Sequence, residues 1–207
     1  MIKLSTSILS STNRIDCIKN LNNTNTDYIH IDVMDGKFVP NKQFTTKEII
    51  DLSNISEKKI DIHLMVENPM KYIKKIIKLK NIEYITFHIE INKNKHKIIN
   101  YLKKKNIKCG LAINPDTNIN NLLDYINEID MINIMSVNPG YGGQQFIPNT
   151  IDKINEIKSL GSFTIEIDGG INNEIMKNIK SQIDIAVVGS YITNSNNYNK
   201  TINELKN

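Results

Sequence analysis

The feature that most restricts the fold is an eightfold alternation. Strand-like runs rich in aliphatic and β-branched residues recur at 4–9, 28–34, 60–65, 84–89, 108–113, 131–137, 164–168 and 185–189. Between them, apolar residues fall three and four apart, as at Met70, Ile73, Ile76 and Ile77, or at Ile151, Ile154 and Ile157. That is the spacing of helices that bury one face. Pro69, after Asn68, suits the first turn of the third helix, where a missing N–H leaves no intrahelical bond unmade. A last helix is expected over about 198–205. No composition shift or linker divides the 207 residues, so a single domain over 1–207 is expected. Eight β-α units in one domain predict an α/β fold of the (β/α)8 TIM barrel type, a closed parallel sheet wrapped in helices. An open doubly wound sheet, which usually has fewer strands, is the runner-up.

A barrel places chemistry at the C-terminal ends of its strands and in the loops after them. The unusual polar residues fall there. In the second run His30, Asp32 and Met34 alternate with Ile29, Ile31 and Val33, and a period of two puts each set on its own face. Unpaired polar groups on a buried face are costly, so His and Asp together there mark a site. His63 and Met65 share a face at the end of the third run, and Asp168 closes the seventh. Together His30, Asp32, His63 and Asp168 are expected to converge on one divalent cation. A mixed nitrogen and oxygen set suits zinc, manganese, iron or cobalt and does not select among them. His63 alone would read as a satisfied core residue; the combination with His30, Asp32 and the Asp168-Gly-Gly turn outweighs that reading. His88, ending the fourth run, is expected to line the cavity, and His96, in a lysine-rich helix, to face solvent.

Three glycine-bearing turns follow the sixth, seventh and eighth runs: Gly140, Tyr141, Gly142 and Gly143; Gly169 and Gly170; Gly189 and Ser190. Glycines let backbone amides approach an anion, helix N-termini there favour negative charge, and barrels often hold phosphate in this quadrant. Met34, Met65 and Met135 end three different strands. Core filling is the default for methionine, but here the three would also cap the site and exclude water. The net charge of +4 comes from lysines spread over most helix-like segments with no aromatic platform, which reads as a solvated surface and not a nucleic-acid footprint. No apolar run is long enough to span a membrane, and the first residues lack the pattern of a signal peptide. Cys17 and Cys109 stand far apart in no metal or redox spacing, as suits a reducing, cytoplasmic location.

Over nearly its full length, and in order, the chain resembles the ribulose-phosphate 3-epimerase family. The resemblance is carried by H-x-D-x-M-D-G-x-F-V-P-N from His30 to Asn41, H-L-M-V from His63, N-P-G-[FY]-G-G-Q-x-F from Asn138, D-G-G from Asp168, and Ser7-Ile-Leu in the first run. It implies a ribulose-phosphate-binding type of (β/α)8 barrel that interconverts D-ribulose 5-phosphate and D-xylulose 5-phosphate with one divalent metal per subunit. It also implies His30, Asp32, His63 and Asp168 as metal ligands, and Asp32 and Asp168 as the acid/base pair. Ser7 and His63 match substrate contacts; Gly140, Tyr141, Gly142, Gly143, Gly169, Gly170, Gly189 and Ser190 match the phosphate side; Met34, Met65 and Met135 match the cap. Inverting C3 needs a proton removed from one face and returned to the other, which two opposed carboxylates can do. By the same analogy the protein is expected to be a homo-oligomer, dimer or hexamer, whose partner is a small sugar phosphate.

The sequence departs from the family pattern in places. Thr6 stands where proline is usual and Thr45 where glycine is common, both expected near enough to the site to alter substrate fit. The Gly-Ala-Asp that often precedes strands is replaced by Asn25-Thr26-Asp27, Asn81-Ile82-Glu83 and Gln182-Ile183-Asp184, on the face of the barrel that serves packing. Other readings stay open: a hexulose-6-phosphate 3-epimerase such as one for allulose 6-phosphate, a decarboxylase on the same barrel type, and a non-catalytic sugar-phosphate binder.

Overall fold

Eight parallel strands hydrogen-bond side by side until the first meets both the second and the last, which closes the barrel. The computed structural model describes residues 2–207. The chain runs β1 (Lys3–Ser7), α1 (Arg14–Asn22), β2 (Tyr28–Asp35), β3 (Lys42–Gln43), α2 (Thr46–Ile55), β4 (Lys59–Met65), α3 (Pro69–Ile76), β5 (Ile82–His88), α4 (Lys95–Lys103) and β6 (Lys108–Ile113). It continues with a 3-10 turn (Ile119–Leu122), β7 (Met131–Met135), α5 (Thr150–Lys158), β8 (Thr164–Asp168), α6 (Asn173–Ile179), β9 (Ile185–Val188), α7 (Ser190–Thr193) and α8 (Tyr198–Lys206). The expected (β/α)8 architecture is present. Among the described residues no helix is long and apolar enough to cross a membrane.

Two connections differ from simple β-α units. After β2 the chain turns back and adds the two-residue β3, antiparallel to Met34 and Asp35. Between β6 and β7 only the 3-10 turn forms, although Ile119, Leu122, Leu123 and Ile126 have helical spacing. Asn118 accepts there from the Asn120 amide, one of the local side-chain bonds by which Asn competes with a regular helix. Elsewhere the abundance of asparagine serves helices. Asn13, Asn94, Asn172 and Asn197 each sit just before a helix and accept an amide of its first turn, a cap worth about 1 kcal/mol. Thr45 does the same for α2 in a reciprocal capping box with Glu48. Pro69 lies in the first turn of α3, as its position in the sequence predicts.

Alternation along the strands builds two cores. Outward residues such as Ile29, Ile31, Ile62, Leu64, Ile85 and Ile132 are fully buried against Ile18, Leu21, Ile49, Ile73 and Ile98 of the helices. Each such side chain contributes roughly 1.5–3 kcal/mol. The inward core is mostly polar. At the strand starts Tyr28, Tyr84, Met131 and Ile185 plug the barrel, and above them Ser5, His30, Asp61, Thr86, Asn133 and Glu166 are all fully buried. Gly110 makes room for this layer, since a Cβ there would collide with the Thr86 hydroxyl.

The departures at the packing face are accommodated. Thr6 points outward and bonds Thr26 through their hydroxyls at 2.7 Å, so two departures satisfy each other. Asp27 and Asp184 accept the amides of Leu4 and Ile165, and Asn81 bonds Ser53 in both directions. The expectation that Thr6 and Thr45 border the site is corrected. Thr6 lies between barrel and helices, and Thr45 lines a neighbouring cleft with Arg14 and Lys71, which touches the site only through Met34.

Candidate active site

Strand register brings the inward polar residues of β2, β4 and β8 to one depth. Asp32 stands beside His63, Ser7 beside His30, and Asp168 beside Met135. One donor atom from each of His30, Asp32, His63 and Asp168 lies within 4.8 Å of all the others. His30 Nε2 is 3.2 Å from Asp32 Oδ1 and 3.8 Å from Asp168 Oδ2, while His63 Nδ1 is 3.5 Å and 3.3 Å from the same two oxygens. The two imidazoles present opposite ring nitrogens to the cluster because their other nitrogens are engaged. His30 Nδ1 bonds Asp61 Oδ2 at 2.7 Å, and His63 Nε2 bonds His88 Nε2 at 2.9 Å.

This arrangement fits a cation. His30 Nε2 and His63 Nδ1 are buried and make no hydrogen bond, and each faces two carboxylates. Two imidazole nitrogens and two carboxylates around one point form a donor set for a divalent transition metal or zinc. The electrostatics agree. Burial opposes a charged His30, but Asp32 and Asp61 outweigh it and raise its pKa well above the ordinary value. Burial likewise opposes a charged His63, yet Asp168 and then Asp32 raise it. For Asp32, burial favours the neutral acid, and His30 and His63 overcome this and hold the carboxyl far below the usual range. The site is a trap for positive charge. Ser7 Oγ donates to Asp32 Oδ2 at 2.7 Å and orients it.

Above the cluster opens a cavity of about 680 Å³. Asp32 and Asp168 reach its floor, and Ser7, Met34, Met65 and Met135 border it. Gly140, Tyr141, Gly142, Gly143, Gly169, Gly170, Gly189 and Ser190 line it as well. The three methionines are 2% exposed, so the cluster is screened from bulk water on their side. Val39, from the loop after β2, packs on Met34 and Met65, and the Asn41 amide donates to the Gly140 carbonyl at 3.3 Å, tying that loop to the glycine turn. The turn after β8 demands glycine. Gly169 and Gly170 have φ of 126° and 65°, and a Cβ on Gly170 would overlap the Phe146 backbone nitrogen.

The structure brings the residues that the sequence placed in the site together, with two corrections. His63 reaches the cation cluster but is fully buried and does not border the cavity, so the substrate contact expected of it is not seen. His88 does not line the cavity. It is fully buried behind His63, between that ring and Phe38, and bonds Glu90 at 3.1 Å. Burial pushes its pKa down to about 4 despite the Glu90 carboxylate. His96 is half exposed beside Glu128. Two buried acids escaped the sequence reading. Asp61 supports His30 and also accepts from Ser5 Oγ at 2.8 Å, while Glu166 has both oxygens buried without a hydrogen bond. Burial, then repulsion from Asp61, raises the Glu166 pKa well above the usual range, so it is the neutral acid beneath a charged site. Each lies two residues before a site residue, Asp61 before His63 and Glu166 before Asp168, and the period-two rule that singled out His30 and Asp32 would have found both.

Comparisons with known proteins agree with this geometry. The profile of the ribulose-phosphate 3 epimerase family matches residues 3–193. A ribulose-phosphate 3-epimerase of Bacillus subtilis is 33% identical, with 100% of this chain and 99% of that protein covered. One from Buchnera aphidicola is 40% identical, covering 87% of this chain and 82% of the relative. Among solved structures, a ligand complex of KGPDC from Streptococcus mutans superposes with a TM-score of 0.78 at 12% identity, covering 99% and 95% of the two chains. The 3-hexulose-6-phosphate synthase of Salmonella typhimurium gives 0.69 at 15% identity, covering 99% and 96%. At such identities these two speak to the fold alone.

Proposed function

The chain belongs to the ribulose-phosphate 3-epimerase family, and from that premise we propose that it is an isomerase inverting C3 between D-ribulose 5-phosphate and D-xylulose 5-phosphate. The observation that carries this reading is the pair Asp32 and Asp168. Delivered from β2 and β8, they meet the same two imidazole nitrogens at the floor of one cavity. Epimerisation needs a base on one face of C3 and an acid on the other, exchanging roles with direction. Asp32 is ionised at neutral pH and ready to accept a proton. Its depressed pKa also weakens it as a base, so the negative charge left on the substrate must be stabilised by other means.

His30, Asp32, His63 and Asp168 would hold a divalent cation, which when bound supplies a Lewis acid for the charge that develops on the substrate oxygens beside C3. The residues of this chain do the rest. Ser7 fixes Asp32 and lies on the cavity wall as a substrate contact. Met34, Met65 and Met135 keep water from the site, which strengthens its electrostatics and protects the carbanion-like intermediate from stray protonation. Gly140, Tyr141, Gly142, Gly143, Gly169, Gly170, Gly189 and Ser190 are proposed to receive the phosphate, with Gly189 immediately before helix α7. We take 1–207 as one domain, and propose a cytoplasmic homo-oligomer, dimer or hexamer, on family analogy alone.

The test is turnover of ribulose 5-phosphate by protein supplemented with manganese, zinc, iron or cobalt, with xylulose 5-phosphate read by a coupled enzyme. Absence of turnover with all four metals would overturn the proposal. Faster turnover of allulose 6-phosphate would move the activity to a hexulose phosphate.

A further inference from the structure

We propose that His88 and Glu90 are positioning residues for His63: they fix it as the tautomer protonated on Nε2 and so present Nδ1 to a divalent cation. The inference rests on reading the His30, Asp32, His63 and Asp168 cluster as a metal site. It follows from counting protons along a buried chain. Glu90 is anchored by its Oε1, which accepts from the Asn114 amide at 2.8 Å and the Thr117 hydroxyl at 2.6 Å. The segment carrying these donors is itself pinned by Lys153, whose ammonium donates to the carbonyls of Asn114, Pro115 and Thr117 at 2.9, 2.6 and 2.8 Å. Glu90 Oε2 then faces His88 Nδ1 at 3.1 Å. A carboxylate has no proton to give, so Nδ1 donates. Neutral His88 therefore keeps a bare Nε2, which can only accept, and its partner at 2.9 Å is His63 Nε2.

His63 must then carry a proton on Nε2, and the nitrogen left for a metal, once its own proton is displaced, is Nδ1, which faces Asp32 and Asp168. The rings are held in this relation by packing. His63 and His88 lie end to end and nearly coplanar, with centroids 5.0 Å apart and planes at 23°, as the Nε2–Nε2 bond requires, and Phe38 packs on His88 with ring centroids 4.6 Å apart. His30 obeys the same logic with the opposite nitrogen, since Asp61 takes its Nδ1 and leaves Nε2 for the cluster. Each ligand is thus oriented by a carboxylate, directly for His30 and through one imidazole for His63. Partners of this kind raise ligand basicity and typically change metal affinity by about 10–100-fold when removed.

The experiment measures zinc and cobalt(II) affinity by chelator competition for the wild-type chain, Glu90→Gln and His88→Phe, with folding followed by circular dichroism. Glu90→Gln keeps an acceptor for His88 but loses the charge, and a fall of about 10-fold is expected; His88→Phe keeps the ring and loses the acceptor, and a fall of about 10–100-fold is expected. If His88→Phe does not fold, Glu90→Gln decides. In parallel, long-range ¹H–¹⁵N NMR of the zinc-loaded wild type should show His63 protonated on Nε2 and His88 on Nδ1. Folded variants that bind both metals within about twofold of wild type, or a His63 Nε2 without its proton, would overturn the inference. A wild-type chain that binds neither metal would remove the metal reading and this inference together.

Discussion

Replacing Asp168 with asparagine separates the two faces of the reaction. The side chain keeps its shape, and the backbone carbonyl of residue 168 still accepts from Ser136 N at 2.8 Å, so β8 keeps its place beside β7. What is lost is the charge and basicity that sit 3.3 Å from His63 Nδ1 and 3.8 Å from His30 Nε2. A positioned general acid or base is worth about 10²–10⁴-fold, or roughly 3–5 kcal/mol of barrier. Epimerisation needs both faces, so the variant should lose at least that much in kcat when assayed at saturating manganese or cobalt. Asp32 remains, however, and should still exchange the C3 proton of the one epimer that presents it to β2. In heavy water, deuterium is therefore expected at C3 of one pentulose phosphate and almost none in the other. A folded, metal-loaded Asp168→Asn chain that epimerises within about tenfold of wild type would refute the two-carboxylate reasoning, as would equal exchange into both epimers.

Other perturbations probe the parts around this pair. Ser7→Ala removes a buried 2.7 Å bond to Asp32, of the charge-assisted kind worth about 1.5–3 kcal/mol; kcat should fall by about 10-fold or more, and an unchanged kcat would count against Ser7 as the residue that orients Asp32. Gly170→Ala forces a side chain into φ 65° and into the Phe146 backbone, so urea unfolding should show a loss of roughly 1–3 kcal/mol and KM should rise; an unchanged KM would separate this turn from phosphate binding. In the metal-free protein His30 and His63 are raised above 6.5, so they hold protons that a metal must displace. Metal affinity should therefore climb with pH until each folded-state pKa is passed, with proton release detectable by calorimetry in buffers of different ionisation enthalpy. Affinity that stays flat between about pH 6 and 8 would contradict the raised pKa values.

Much of this was legible in the sequence because period-two alternation acts on both faces of a strand at once. Ile29, Ile31 and Val33 announced the outer core, and His30, Asp32 and Met34 announced the inner one. The order of the strands, and hence the meeting of β2, β4 and β8 at one depth, followed from barrel closure. What stayed hidden depends on distance in space. Nothing local says that Thr6 meets Thr26, or that Thr45 caps a helix beside a neighbouring cleft. The segment after β6 has helical spacing yet forms only a 3-10 turn, because spacing cannot register the side-chain bonds that asparagines make to their own backbone. The sequence puts His88 at the right strand end and on the inward face, and the register sets Thr86 beside His63 so that His88 stands one step nearer the mouth. What alternation cannot show is that Phe38, from the loop after β2, packs on the ring there and that it is fully buried. Asp61 and Glu166 carry the same period-two signal as His30 and Asp32, but a barrel interior is expected to be apolar, and nothing local says that its middle layer here is polar.

The central claim is that this barrel moves a proton at C3 of a pentulose phosphate. The most direct test is to incubate the metal-loaded wild-type protein with ribulose 5-phosphate in heavy water and locate the label by NMR. Deuterium is predicted at C3 in both ribulose 5-phosphate and the xylulose 5-phosphate formed from it. Label at C1, or conversion with the original C3 proton retained, would contradict the claim.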